Sequence, residues 1–121
     1  MLGAMDANRA ISDLTEISPQ VRDVVIAGAD DEIVGTNTPR MRAERLLAGA
    51  RRLLDGADSV RGRPVSQLEA ATTVGSVFVV RDGDRIVAAT TSAEPTVGLV
   101  FYDLKSCLRS LSEPSSHDAA A

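Results

Sequence analysis

Apolar residues recur along this chain at two spacings, one helical and one alternating, and the switches between them mark out the elements. Ala7, Ala10, Ile11, Leu14 and Ile17 fall on one side of a helix that Asp6 can cap. Ser18-Pro19 ends it, because the residue before a proline is pushed out of the helical region. "VRDVVIAGADDEIVGTN" then reads as two short strands, Val21–Ala27 and Glu32–Thr36, joined by a hairpin turn at "GADD". The unbroken apolar run from Val24 to Ala27 predicts that the first strand is covered on both faces and central in its sheet.

The clearest helical pattern is "NTPRMRAERLLAGARRLLDGAD", with Met41, Leu46, Leu47, Ala50, Leu53 and Leu54 on its apolar side. Thr38 is placed to cap it, Pro39 sits where a missing N–H costs nothing, and Gly56 supplies a stop. Arg45 and Arg52 lie seven residues apart and project from the same side. After the polar connection "SVRGRPVSQ" comes "LEAATT", a short and Ala-rich strand with one charge. "GSVFVVRDGDRIVAATT" is a stronger hairpin, with strands Ser76–Arg81 and Arg85–Thr91 about Asp82-Gly83. Pro95 opens a last helix striped by Val97, Val100, Phe101, Leu104, Leu108 and Leu111. The order α-β-β-α-β-β-β-α predicts a three-layer α+β domain over residues 6–112. Its five-stranded, mostly antiparallel sheet carries one helix on one face and two on the other. Residues 1–5 are expected to be flexible, and the polar tail 113–121 disordered.

Composition narrows the function. With two Phe, one Tyr and no Trp, the core must be aliphatic, and the stacking platforms used on single-stranded nucleic acid are missing. A net charge of −4 offers no basic footprint for DNA or an anionic membrane. No apolar run approaches the ~20 residues that span a bilayer, and "MLGAMDANRA" lacks the features of a signal peptide. A cytoplasmic protein is expected, which also suits the single cysteine. That cysteine, Cys107, lies between Leu104 and Leu108 and reads as a small core hydrophobe. His117 is the only histidine, so no usual zinc set exists. Asp30, Asp31 and Glu32 crowd a turn and read as solvated, as does Asp82–Asp84. No catalytic residue, metal site or cofactor is therefore expected.

Three stretches carry a resemblance: "LTEISPQVRDVVIAGADDEIVGT", "AERLLAGARRLL" and "VVRDGDRIVAATTSAEPTVGLVFYDLKSCLRSL". With Val21, Val24, Val25, Gly28, Gly35 and Gly98 in matching places, residues 8–111 resemble the Roadblock family (dynein light chain and bacterial MglB-like proteins). Actinobacterial members encoded beside a small GTPase and a sensor kinase are the nearest in kind. The hairpin "GADDEIV" departs from the family by lacking the usual D-G pair. The resemblance implies a homodimer whose third strands join edge to edge, through Leu68, Glu69, Ala70, Ala71 and Thr72. The second helices would pack across the two-fold axis, where Gly49 allows close approach. It implies a non-catalytic regulator that binds a small Ras-like GTPase, with Arg45 and Arg52 facing the partner; some members accelerate GTP hydrolysis. A signalling adaptor for a sensor kinase, without effect on hydrolysis, is the alternative, and a profilin-like ligand-binding domain is a more distant one. Read from the residues alone, "LEAATT" is an edge strand guarded only by Glu69. The same reading allows a solvated arginine face with an Arg51–Asp55 pair. Gly98 fits either close packing on the sheet or a tolerated weak helix former.

Overall fold

The computed structural model describes residues 7–111 in full, within a chain of three helices and five strands. Helix α1 runs Leu2–Ile17, strand β1 Val21–Ala27, β2 Ile33–Thr36 and helix α2 Arg40–Arg61. Strands β3 (Gln67–Ala71), β4 (Ser76–Asp82) and β5 (Arg85–Thr91) follow, and α3 runs Val97–Ala120. The side chains of residues 2–6 and 112–120 and the whole of residues 1 and 121 lie outside the description, and with them the expected cap at Asp6, the expected flexible ends and His117.

The sheet order is β2-β1-β5-β4-β3, with every neighbouring pair antiparallel. As the apolar run predicted, β1 is internal, and its side chains alternate between two cores. Val24 and Ile26 point into a core shared with Leu14 of α1 and Leu104 and Leu108 of α3. Val25 and Ala27 point to the other face, where Ala43, Leu47, Ala50 and Leu54 of α2 cover Val79, Ile86 and Ala88. Phe78 and Phe101 meet edge to face at 4.9 Å, joining α3 to β4.

Element ends differ from the sequence reading where backbone angles decide. Pro39 has ψ 149°, which keeps it outside α2; its carbonyl accepts the Ala43 N–H at 2.9 Å, and no side chain caps the helix. The Thr38 hydroxyl therefore does not cap; the Thr38 N–H instead donates to Thr36 Oγ1 at 3.3 Å. Gly56 does not stop α2. The helix continues to Arg61 and ends at Gly62, whose φ of 72° is the left-handed turn that favours glycine. "GADD" is a 3₁₀ turn, Ala29–Asp31, with Asp30 and Asp31 at φ 59° and 57°, and β2 begins at Ile33. This turn lifts Asp31 to α2, where Arg51 Nη2 donates to it at 2.6 Å in place of the expected Asp55. Helix α3 starts two residues after Pro95, and Val100 donates to the Thr96 carbonyl at 3.0 Å.

The two edges of the sheet are finished differently. Against β2 lies α1, packed so closely that a Cβ on Gly35 would stand 2.9 Å from the Ala7 Cβ. The Thr36 N–H there donates to Asn8 Oδ1 at 3.3 Å. Among the described residues no further strand lies beyond β3. A Cβ on Gly98 would meet nothing within 4 Å, so this glycine serves no packing onto the sheet.

Candidate functional site at the β3 edge and α2 face

A single helix covers the α2 side of the sheet, and its width explains the site. Leucines occur on α2 as neighbouring pairs seven residues apart. In each pair one member, Leu47 or Leu54, is buried, while the other, Leu46 or Leu53, is half-buried at the flank. An apolar band too broad for the helix's own core is thus left facing outward. Along it runs an open groove of about 690 Å³ lined by Met41, Arg45, Leu46, Gly49, Leu53 and Val77. Met41 is 68% exposed at its mouth.

Val77, which lines the groove, pairs with Ala70 of β3, and strand alternation decides which β3 side chains share this face. Leu68 and Ala70 pair with Val79 and Val77, whose side chains are on the α2 side. Glu69 and Ala71 point to the opposite face, where Glu69 accepts a hydrogen bond from Ser76 Oγ at 2.8 Å. Thr72 lies past the end of β3. Its hydroxyl serves the β3–β4 turn, donating to the Gly75 carbonyl at 2.6 Å and accepting the Gly75 N–H at 3.2 Å.

The start of β3 is fixed from α2. Arg81 Nη2 donates to Asp58 Oδ1 at 2.7 Å and to the Val65 carbonyl at 2.7 Å. Val65 N–H donates to the same Asp58 oxygen at 2.7 Å, and Arg81 N–H donates to the Ser66 carbonyl at 2.8 Å. The Arg81 hydrogen bond, then that from Val65, holds the Asp58 carboxyl below its ordinary pKa. This cluster steers the connection from α2 into the edge strand.

Charges on α2 divide into held and free. Arg40 pairs with Glu44, Arg42 with Asp23 and Arg51 with Asp31. Arg45 and Arg52 are exposed and have no ion pair among the described residues. Arg45 lines the groove beside Gly49; Arg52 stands on the same helix outside it. Sequence reading missed Met41, Leu46, Leu53 and Val77 as site residues, although the paired leucines were the visible signal.

Other chemistry is sparse. Cys107 is buried, and burial, with the charge of Asp13, pushes its thiol up to about 11, so it is no thiolate nucleophile. Among the described residues no group of three or more His, Cys, Asp or Glu is placed to hold a metal. No helix there is long and apolar enough to cross a membrane.

Solved structures share this three-layer arrangement. The chain is similar to a Roadblock/LC7 domain from Streptomyces avermitilis, with a TM-score of 0.75 and 17% identity over 87% of this chain and 93% of that one. It is similar to MglB from Myxococcus xanthus, with a TM-score of 0.74 and 14% identity over 94% and 90% of the two chains. An MglB with a tetrameric arrangement matches with a TM-score of 0.72 and 9% identity over 93% and 90%. The chain has the Roadblock/LC7 fold. A scan of protein-family models and a search of curated proteins found no match.

Proposed function

We propose that this chain acts as a non-catalytic regulatory homodimer that binds a small Ras-like GTPase in the cytoplasm and modulates its GTP hydrolysis. The observation that carries the reading is an edge strand, β3, that lies beside the apolar α2 groove and pairs with the groove's Val77 through Ala70. An edge strand exposes a row of unpaired N–H and C=O groups, and two-fold pairing removes it. The same step would bring two α2 helices together at Gly49 and cover Met41, Leu46 and Leu53. Arg45 and Arg52, without an ion pair among the described residues, would then form a cationic feature across the dimer for the partner's acidic surface. Leu68 and Ala70 would join the buried band, and Glu69 and Ala71 would line the opposite face of the joined sheet. The likeness to an MglB in a tetrameric arrangement supports self-association, and the family resemblance supports the dimer and the GTPase.

Light scattering over a concentration series tests the first step. A mass twice 12.7 kDa that falls to the monomer in Ala71→Arg is expected. A monomer at every concentration overturns the reading. The second step is the GTP hydrolysis rate of a small Ras-like GTPase encoded beside this chain, with wild type and with Arg45→Glu/Arg52→Glu. A rate changed by wild type and restored by the double variant is expected. Binding with an unchanged rate would make the protein a signalling adaptor, and no binding in either nucleotide state would refute a GTPase partner.

A further inference from the structure

On the face of the domain away from α2, helices α1 and α3 leave a narrow groove between them, of about 150 Å³. From α1 it is lined by Ala10, Asp13 and Ile17, and from α3 by Asp103, Ser106 and Ser110. The spacing on each helix is three or four residues, so each side of the groove is one continuous stripe.

The unusual member is Asp103. It is only 7% exposed, yet among the described residues no hydrogen bond or ion pair reaches its carboxylate. Among the described residues the side-chain oxygen cut off from solvent without a partner is Ser18 Oγ, so the unpaired Asp103 carboxylate keeps its water contact, at the groove it lines. Asp13 adds a second unpaired carboxylate at the same groove, and its charge is felt at Cys107 in the floor. Ser106 supplies a hydroxyl, and Ser110, which donates to the Cys107 carbonyl at 2.8 Å, keeps acceptor capacity. Exposed apolar side chains stand near this acidic slot, Ile17 at 66% and Tyr102 at 64%, with Leu99 one turn before Asp103, alongside the exposed charges of Arg9, Glu16 and Arg109 on the same two helices.

We propose that the α1–α3 groove is a receptor for one arginine side chain, presented by a protein partner whose neighbouring residues are apolar. The partner's guanidinium would enter between Asp13 and Asp103, and its apolar neighbours would cover Ile17, Leu99 and Tyr102. Arginine fits better than lysine because the acceptors are spread over two carboxylates and two hydroxyls. A planar group with five donors can reach several of them at once, whereas an ammonium is a single point. This site is separate from the β3–α2 face and does not depend on dimerisation or on a GTPase.

The test is an NMR titration of the isotope-labelled full chain with N-acetyl-arginine amide, and with N-acetyl-citrulline amide as its neutral isostere. Saturable shifts of amides in 10–17 and 99–110 are expected with the arginine compound. Binding at least about tenfold weaker is expected with citrulline, about 1.4 kcal/mol. Asp103→Asn should abolish the response and Asp13→Asn should weaken it, while Arg45→Glu on the other face leaves it unchanged. Asp103→Asn should also melt no lower than wild type, since no partner is lost. Equal response to citrulline, a response surviving in Asp103→Asn, or a lower melting temperature of that variant would each overturn the proposal.

Discussion

Two glycines on α2 allow the proposed helix crossing to be separated from ordinary helix stability. Gly49 and Gly56 are both exposed, and a Cβ at either would meet nothing within 4 Å in the protomer. A Gly→Ala change inside a helix stabilises it by about 1 kcal/mol, through lost freedom of the unfolded chain. For a domain of this size that is a rise of about 3–6 °C in melting temperature. In an isolated protomer the two variants should therefore behave alike. They also lie seven residues apart, on one side of α2, so they differ mainly in height along the helix. A second helix crossing at Gly49 would feel the new methyl there and miss the one at Gly56. Denaturant unfolding at two protein concentrations a hundredfold apart should then show Gly56→Ala gaining the full amount at both. Gly49→Ala should gain it only when dilute, and its dimer should be weaker by light scattering. If the two variants are indistinguishable at both concentrations and form equally tight dimers, the placement of Gly49 at a helix crossing is refuted.

Gly35→Ala should lose about 1–3 kcal/mol in denaturant unfolding, because its Cβ would stand 2.9 Å from the Ala7 Cβ and 3.2 Å from the Ala7 backbone. Leu54→Ala, fully buried beneath α2, should cost about 2–5 kcal/mol with an unchanged m-value. Asp58 has a folded pKa below its unfolded one, so its contribution is complete above about pH 4–5 and is lost as pH falls through the folded value. Acid unfolding of Asp58→Asn followed by circular dichroism should accordingly be flatter over that range than wild type, with lower stability at neutral pH.

Much of the fold was legible because the elements are short and cleanly patterned. The apolar run at Val24–Ala27 placed β1 inside the sheet, and the Ala-rich "LEAATT" placed β3 at its edge. The ends of α2 were harder to read. A proline and a glycine both have two plausible roles near a helix end, and ψ at Pro39 and φ at Gly62 decide between them. Long-range pairing was out of reach as well. Arg51 has Asp55 one turn away, yet takes Asp31 from a turn that two left-handed residues bring close. Of the site, Gly49 and Arg45 were visible as candidates, whereas the groove beside them needed the knowledge that α2 covers its face alone. Asp103 gave no signal at all, since an aspartate between Tyr102 and Leu104 looks like any polar position on a helix.

The strand order has a consequence for how the molecule comes together. Strands β1 and β2 form one local hairpin, β3, β4 and β5 form a local meander, and the two are joined only where β1 meets β5. That seam pairs residues 21–27 with residues 85–91, so its loop-closing entropy must be met before its hydrogen bonds contribute. A chain emerging from the ribosome has β1 long before β5 exists, and during that interval the most apolar strand of the protein has one edge bare. Its hazard while nascent lies in the middle of the finished sheet, at an edge the folded protein no longer has.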